Sequence, residues 1–590
     1  MTRRGPRRPL PMVLAAATLL AGTAACSGGG EPAEESTRVA AEARTETAGG
    51  TVAALSLGPV LAWDPQRIGS RDDLAFAGRV FARTLTAYAP STEPAEQSRL
   101  VGDLATDTGR PSGDLRQWSF TLRDGVAWED GSPVTCEDVR YGISRTFATD
   151  AITGGSTDAL AVLAIPKQPD GRSAYAGPYA TGKAAEAGRA AFERAVRCTG
   201  RTIVLTLASP VADFGAMVSL PAFGPYKKDR DRGADGAYDV LSTGPYRLEE
   251  PWQASKGGTW VRNPAWRAES DPIRKAYPDA IRHEEGRETQ WIASQLMGDG
   301  EAGRRSVSLS SAPPAIQQQV MAAEALRQRS VNPLTGLVDY VVPNVSSAVF
   351  ARPQARVALA AATNRTAYVT ALGASTAAAP APSLLPSALP GSHEEDPVGA
   401  GPGGDPEQAR ALLQQAGLKP PVAIRVAYRA GESADKAMAA LAAGWTEAGF
   451  APELEPVEDD YFTRIARPEA KDRYDVFWSN WAPAWASAST VLPALFDSSI
   501  NLTAAGPGRD YGYFADPAVT RAMAAAGAVA DPARRDAAWA RIDQGLLRQG
   551  AYVALAEQRA LYLAGSDVRN LSGNEVLGGV VEFADIAVQQ

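Results

Sequence analysis

The chain has 590 residues, of which 45% are hydrophobic and 21% are charged, and its formal net charge is −8. This composition is typical of a globular protein, and the length predicts more than one domain. The mildly acidic balance argues against a nucleic-acid partner, because proteins that contact phosphate backbones normally carry an excess of basic residues.

The first 25 residues have the pattern of an export signal. The arginine-rich start MTRRGPRRPL is followed by the apolar run PMVLAAATLLAGTAA, which is too short to span a membrane. Cys26 comes next, after Thr23, Ala24 and Ala25, and this arrangement is similar to a bacterial lipobox, in which the cysteine is diacylated. Thr23 stands where the lipobox usually has leucine, and an ordinary secretory signal with a chance cysteine is the alternative.

Residues 26–50 are predicted to form a disordered tether. They are rich in glycine, glutamate, alanine and threonine and contain almost no large apolar residue, so they cannot bury a core. Two acyl chains on Cys26 would suffice for stable anchoring. We therefore expect an exported lipoprotein on the outer face of the cytoplasmic membrane, held there by its N-terminal lipid, in a Gram-positive type of cell envelope.

Cys136 and Cys198 are the remaining cysteines. Because an exported protein meets an oxidising compartment, we expect them to form a disulfide. Cys136 begins a predicted helix, CEDVRYGISRTF, and Cys198 precedes a predicted strand, RTIVLTL. Two buried unpaired thiols are the alternative.

The hydrophobic pattern predicts alternating strands and helices. TVAALSL at residue 51 is a predicted strand, and DDLAFAGRVFARTL is a predicted helix. From Asp405 the order becomes helix, strand, helix, strand in DPEQARALLQQAG, AIRVAYRAG, ESADKAMAALAAGWTEAGF and APELEPVE. This order predicts an α/β domain with a largely parallel sheet, and two further helices follow near the C-terminus.

Catalytic and metal-binding motifs are absent from the sequence. The chain has two histidines, His283 and His393, which have no metal-ligand partner at useful spacing and are expected to be solvated. Neither a zinc-binding helix motif nor a Gly-x-Ser-x-Gly nucleophile elbow occurs. We expect no catalytic residue, no metal and no cofactor; a secreted hydrolase is the remote alternative.

Several stretches resemble, in the right order, the family 5 (peptide/nickel type) extracytoplasmic solute-binding proteins of ABC importers. The resemblance covers residues 51 to 575, and the high alanine, arginine, glycine and proline usage suggests an actinobacterial lipoprotein. The matching stretches are LVGDLATD with WSFTLRDGVAWEDGSPVTCEDVRYGISRTF, LSTGPYRLEE with VRNPAW, PQARVALAAATNRTAYV, DPEQARALLQQAGL, YDVFWSNWAPAW and YFADPAVTRAMAAA.

This resemblance implies an α/β, two-lobed fold of the periplasmic-binding-protein type II-like class (cluster C), with an extra N-terminal subdomain and a hinge between the lobes. Its solute would bind in the cleft between the lobes. The expected ranges are 51–88, 201–300 and 556–590 for lobe I, 89–200 for the extra subdomain and 301–555 for lobe II.

In the peptide binders of this family, the segment that matches Trp481–Ala488 lines the cleft. Because Pro483 breaks a helix there, a strand end running into a loop is the favoured interpretation. Trp481 and Trp485 are therefore predicted to form pocket wall, with core packing as the alternative, and Trp478 is predicted to be buried.

The complete set of predicted ligand-binding residues is Trp481, Trp485, Ala484, Asn480 and Trp63. Ala484 stands where the peptide binders have the aspartate that pairs with the α-amino group of the ligand. Either another acid such as Asp497 takes that role, or the ligand has no free amino terminus.

The resemblance implies a monomeric, lipid-anchored receptor, not an enzyme, that delivers a peptide or peptide-like solute to the permease and ATPase subunits of an importer. Two alternatives keep the same fold. One binds a non-peptide solute such as a metal chelate or a glycan, and the other is a sensor or adhesin lipoprotein.

Overall fold

The computed structural model describes residues 48–589. The predicted signal peptide, the predicted lipidation site Cys26 and nearly all of the predicted tether lie outside these residues. Within the described range, no helix has both the length and the apolar character needed to cross a membrane.

A five-stranded sheet forms the centre of the first lobe. Its strands lie in the spatial order Ser306–Ser308, Thr51–Leu55, Ala280–Glu284, Gly257–Arg262 and Tyr246–Leu248. The strand Thr51–Leu55 is parallel to both of its neighbours, whereas the other pairs are antiparallel. Its alternate residues enter different hydrophobic clusters, so this strand is buried on both faces, as is usual for parallel strands.

The extra subdomain contains an antiparallel sheet with the strand order Arg110–Pro111, Gln117–Thr121, Thr202–Thr206 and Val196–Thr199. The helix Cys136–Arg145 packs on it and starts with a capping box, in which Thr135 and Asp138 each bond the backbone of the other. Cys136 and Cys198 are joined by a disulfide, with their Cα atoms 5.8 Å apart. The predicted pair thus ties this helix to the edge strand of the sheet.

The second lobe has a six-stranded mixed sheet with the order Ala378–Pro380, Val553–Arg559, Leu334–Pro343, Val476–Trp481, Val422–Arg429 and Phe450–Val457. The strand Val422–Arg429 is parallel to both of its neighbours, and the other pairs are antiparallel. The prediction of a largely parallel sheet is wrong because the alternating helix and strand segment from Asp405 supplies only two of the six strands.

The remaining helices surround these sheets. Asp405 caps the predicted helix Pro406–Gln415 by accepting hydrogen bonds from the N–H groups of Glu407 and Gln408. The other helices of the described range are Arg71–Val80, Pro94–Gln97, Asp158–Val162, Lys183–Ala195, Phe214–Met217, Thr289–Gly298, Pro314–Ala322, Glu324–Arg327, Pro353–Ala361, Arg365–Leu372, Pro406–Gln415, Glu432–Glu447, Tyr461–Ile465, Ala470–Arg473, Leu492–Phe496, Ser498–Asn501, Pro517–Gly527 and Pro532–Arg548.

Short two-stranded pairs complete the fold. They are Thr86–Tyr88 with Leu100–Gly102, Ser330–Val331 with Tyr562–Leu563, Val568–Arg569 with Ala587–Val588, and Gly573–Asn574 with Val580–Val581. Val568, Phe583 and Val588 of the C-terminal segment pack in the same hydrophobic cluster as Val52 and Trp63, so this segment returns to the first lobe.

Two of the expected domain boundaries cut a sheet. The strand Thr202–Thr206 belongs to the sheet of the extra subdomain, past the expected boundary at residue 200. The strand Ser306–Ser308 and the side chains of Ile316 and Val320 belong to the first lobe, past the expected boundary at residue 300. The strand Thr51–Leu55 pairs with Ala280–Glu284 along one edge, and Ser306–Ser308 pairs with it along the other.

Candidate functional site

A cavity of about 390 Å³ lies where the two lobes and the extra subdomain meet. It is lined by the helix Arg71–Val80, by the segments 154–158 and 219–221, by the loop 482–485 and by Val576 with Leu577. Residues far apart in sequence converge here, and the volume lies within the range of small-molecule sites. This is the cleft that the two-lobed fold predicts.

The loop after the strand Val476–Trp481 forms the second-lobe wall of the cavity. The residues Ala482, Pro483, Ala484 and Trp485 all line it. Pro483 has no N–H for the sheet ladder, which is consistent with the end of the strand at Trp481. The predicted change from strand to loop at the cleft wall, and the place of Ala484 within it, are thus present in the structure.

Trp485 also anchors the second lobe to the rest of the molecule. Its side chain is 8% exposed and packs in the hydrophobic cluster of the extra subdomain. Its indole Nε1 donates a hydrogen bond to Oδ2 of Asp213 over 2.9 Å, and the hydroxyl of Ser489 donates to the same oxygen. The backbone N–H of Ala486 donates to the Tyr88 hydroxyl over 2.8 Å. Trp485 is therefore both cleft wall and interlobe contact.

Two of the other predicted ligand residues lie in the second lobe, outside the cavity lining. Trp481 packs against the core of that lobe, and its Nε1 donates to the carbonyl of Thr490 over 2.9 Å. Asn480 lies directly opposite Asp339 in the sheet. Both residues are half-buried and neither belongs to the cavity lining, so their contact with a ligand stays a prediction.

Trp63 lies in the core of the first lobe and does not line the cavity, contrary to the sequence-based prediction. Its side chain is completely buried in the first lobe, where its ring lies 5.2 to 5.8 Å from the ring centroids of Phe76, Phe81, Trp252, Trp260 and His283. This ring is core, because it is fully buried among aromatic neighbours.

The charged residues of the cavity were not found from the sequence. Arg79 lines it but forms a buried ion pair with Glu582. Arg71 donates a hydrogen bond to the carbonyl of Thr335 over 2.7 Å. It forms no ion pair with a carboxylate among the residues described. Burial lowers the pKa of Arg71, yet a guanidinium stays protonated at neutral pH. One signal was available: Arg71 begins a helix, where a cation is unfavourable.

Asp158 is the carboxylate of the cavity lining, and it accepts a hydrogen bond from the Ser156 hydroxyl over 2.5 Å. Asp497, which the sequence suggested as a substitute for the missing aspartate, instead caps the helix Ser498–Asn501 by accepting from the N–H of Ser499. It is not part of the cavity lining, so that suggestion is wrong.

The two histidines are not solvated, contrary to expectation. His283 is 2% exposed, and burial lowers its pKa to about 3. The Nε2 atom of His393 lies 2.8 Å from Oδ2 of Asp543, a bond that raises the pKa of His393. Within residues 48–589, no group of three or more histidine, cysteine or acidic side chains is arranged to hold a metal.

Residues 99–502 match the family model of the bacterial extracellular solute-binding proteins, family 5. This range is more than half of the chain. The chain belongs to family 5. Its members bind solutes for ABC transporters and do not catalyse a reaction, so this protein is not an enzyme.

Relatives and solved structures agree with this family. The chain is 23% identical over 445 residues to a probable peptide ABC transporter periplasmic-binding protein of Sinorhizobium fredii, covering 72% of this chain and 74% of the relative. The structure of clavulanic acid biosynthesis oligopeptide binding protein 2 superposes with a TM-score of 0.81 at 25% identity, covering 92% of this chain and 96% of that one.

The unliganded open form of the periplasmic murein tripeptide binding protein MppA superposes with a TM-score of 0.72 at 18% identity, covering 92% of this chain and 99% of that one. This likeness supports the two-lobed fold that the strand pairing shows.

Proposed function

We propose that this protein is the lipid-anchored solute receptor of an ABC importer, and that it binds a peptide or peptide-like small solute between its lobes for delivery to the permease. The observation that carries the proposal is the cavity of about 390 Å³ between the helix Arg71–Val80 and the loop 482–485. Family membership and the names of the relatives, several of which are peptide-binding proteins, support the choice of ligand.

The charges of the cavity narrow the class of ligand. Arg71 has no acidic partner in an ion pair among the described residues, and a guanidinium binds a carboxylate with paired, charge-assisted hydrogen bonds. Ala484 offers no charge for an α-amino group. We therefore expect a solute whose carboxylate contacts Arg71, such as a short peptide with a free C-terminus.

The direct test is mass spectrometry of the solute that co-purifies with the full chain from its native host. Short peptides with free carboxylates would support the proposal. A glycan or a metal chelate would contradict the peptide assignment while leaving the cleft as the site.

Arg71→Gln tests the contact independently of the co-purified solute. In titration calorimetry with the co-purified peptide, this variant should bind at least about ten-fold more weakly, the usual effect of losing a hydrogen bond to a charged group. The C-terminal amide of the same peptide should lose little further affinity in the variant. Arg99→Gln, in which an exposed arginine beside Glu96 is changed, is the matched control. An unchanged affinity in Arg71→Gln would contradict the assigned contact.

The lipid anchor is proposed from the sequence around Cys26. Cys26→Ser should move the protein from the membrane fraction to the soluble exported fraction, because the acyl chains supply the membrane affinity. Cell fractionation with immunodetection checks this. A Cys26→Ser variant that stays in the membrane fraction would show that another segment holds it.

A further inference from the structure

The second lobe contains another cavity, of about 610 Å³, which shares no lining residue with the interlobe cavity. It lies between the segment 379–402 and the central strands of the lobe, and its lining includes Arg365 and Glu557. The proposed import function does not use this second-lobe cavity.

Glu557 lines the second-lobe cavity with a carboxyl group of which one oxygen has no hydrogen-bond partner. Its side chain is 5% exposed. Oε2 accepts a hydrogen bond from the N–H of Ser387 over 3.1 Å, whereas Oε1 is buried and has no hydrogen-bond partner. No arginine or lysine forms an ion pair with this carboxylate among the described residues. A buried, unpaired carboxylate oxygen is costly unless a donor reaches it.

Arg365 brings the opposite charge to the same cavity. The residue is 4% exposed. Its Nε donates to the carbonyl of Ala554 over 2.8 Å, and Nη1 donates to that of Gly401 over 3.4 Å. These two bonds leave further N–H groups of the five that a guanidinium carries. In the described part of the chain, Arg365 has no carboxylate within ion-pair distance.

A buried guanidinium and a buried carboxyl group, neither of which forms an ion pair among the described residues, thus line one cavity, together with Asp396, which acts on Arg365 electrostatically. Two such groups would normally pair with each other or be replaced by apolar residues. Their separate placement is chemically matched by a ligand that carries both charges. An α-ammonium group would donate to Oε1 of Glu557, and an α-carboxylate would accept from Arg365.

We propose that the second-lobe cavity is a binding site for a small zwitterion, a free amino acid or a dipeptide, separate from the interlobe cleft. This second site goes beyond the proposed import function, and the proposal of the site does not depend on that function.

Equilibrium dialysis of the full chain against the twenty standard L-amino acids and L-alanyl-L-alanine, read by mass spectrometry, tests the proposal. The chain carries Ala484→Trp in this experiment, so that an indole fills the interlobe cleft. At least one zwitterion should be retained. Retention of none would overturn the proposal.

Glu557→Gln in the same background should weaken binding of the retained zwitterion by about ten-fold or more. Glu458→Gln is the matched control, since Glu458 is an exposed carboxylate of the same lobe that does not line this cavity, and its loss should change binding little. Equal binding by Glu557→Gln and the parent chain would overturn the proposal.

A second comparison does not depend on the folding of any Glu557 variant. The retained zwitterion is titrated against its N-acetyl and its carboxamide derivatives. Each derivative removes one charge and should bind about ten-fold more weakly or worse. Equal affinities for the three compounds would show that the cavity does not recognise both charges.

Discussion

At the scale of single residues, Ala484 is the position at which a small change should alter specificity most. It lies in the cleft wall, and in the resemblance to the peptide binders it replaces an aspartate. Ala484→Asp should therefore make the cleft prefer peptides with a free amino terminus over their N-acetyl forms by about ten-fold or more, because a charge-assisted hydrogen bond is added.

Titration calorimetry with matched peptide pairs checks this prediction. Ala504→Asp, which adds the same charge at an exposed position, should show no such preference. A variant Ala484→Asp that binds both forms equally would place the amino terminus of the ligand elsewhere.

Asp339 should make the stability of the second lobe depend on pH. Burial raises its pKa from 3.8 to about 7, against the opposing effect of hydrogen bonds from Gln558, Tyr368 and Asn480. The folded chain therefore holds a proton that the unfolded chain releases. This contribution to the free energy of unfolding is full below about pH 4, decreases as the pH rises, and is lost above about pH 7.

The pKa difference of about three corresponds to about 4 kcal/mol. Asp339→Asn should therefore remove a decrease of about that size in the free energy of unfolding between low and neutral pH. Urea unfolding from pH 4 to pH 8 measures it. Asp459→Asn, at an exposed position, should keep the pH dependence of the natural chain. If the Asp339→Asn variant keeps the same pH dependence, a group other than Asp339 takes up the proton.

At the scale of structural elements, the disulfide determines how firmly the helix Cys136–Arg145 is tied to the strand Val196–Thr199. The two cysteines are 62 residues apart in sequence. Replacing both by serine should lower the free energy of unfolding by about 4 kcal/mol, mainly through the larger entropy of the unfolded chain.

Denaturant unfolding with and without a reducing agent separates this effect from side-chain changes. The reductant should destabilise the natural chain and leave the double variant unchanged. Equal stabilities of the oxidised natural chain and the double variant would show that the pair contributes little.

The strand that precedes the cleft wall shows how far local pattern determines an element. The apolar stretch YDVFW predicted the strand Val476–Trp481, and Pro483 marked the change to a loop. Pattern could not say which residues face the cleft. Asn480 lies opposite Asp339 of the neighbouring strand, a partner more than a hundred residues earlier in the chain.

At the scale of the whole molecule, the contact of Trp485 with Asp213 couples the second lobe to the extra subdomain. Trp485→Phe keeps an aromatic ring but removes the hydrogen bond to Asp213, which is worth about 1.5 to 3 kcal/mol when the acceptor is charged. We expect weaker ligand binding and a larger radius of gyration, because the lobes lose a contact that holds them together.

Titration calorimetry and small-angle X-ray scattering test this expectation. Trp445→Phe is the matched control, since it also removes an indole hydrogen bond, from Nε1 to Thr363, but within the second lobe. The control should lower stability without a change in the radius of gyration. A Trp485→Phe chain with the scattering and affinity of the natural chain would show that other contacts hold the lobes.

The sequence by itself determined the class of fold and the family, because those depend on properties that neighbouring residues carry together. Hydrophobic alternation, capping residues such as Asp405 and the ordered motifs need no knowledge of distant contacts. The same local information placed Ala484 and Trp485 on a loop after a strand, where they line the cleft.

The tertiary structure alone decided which side chains meet. Arg71 lines the cleft with the loop 482–485, Trp63 is enclosed by aromatic rings from separate segments, and Ser306–Ser308 joins the sheet of the first lobe. Burial and charge pairing arise between residues that are distant in sequence. For this reason the charges of the cleft, and the opposite charges of Arg365 and Glu557 in the second-lobe cavity, could be recognised only once the chain was folded.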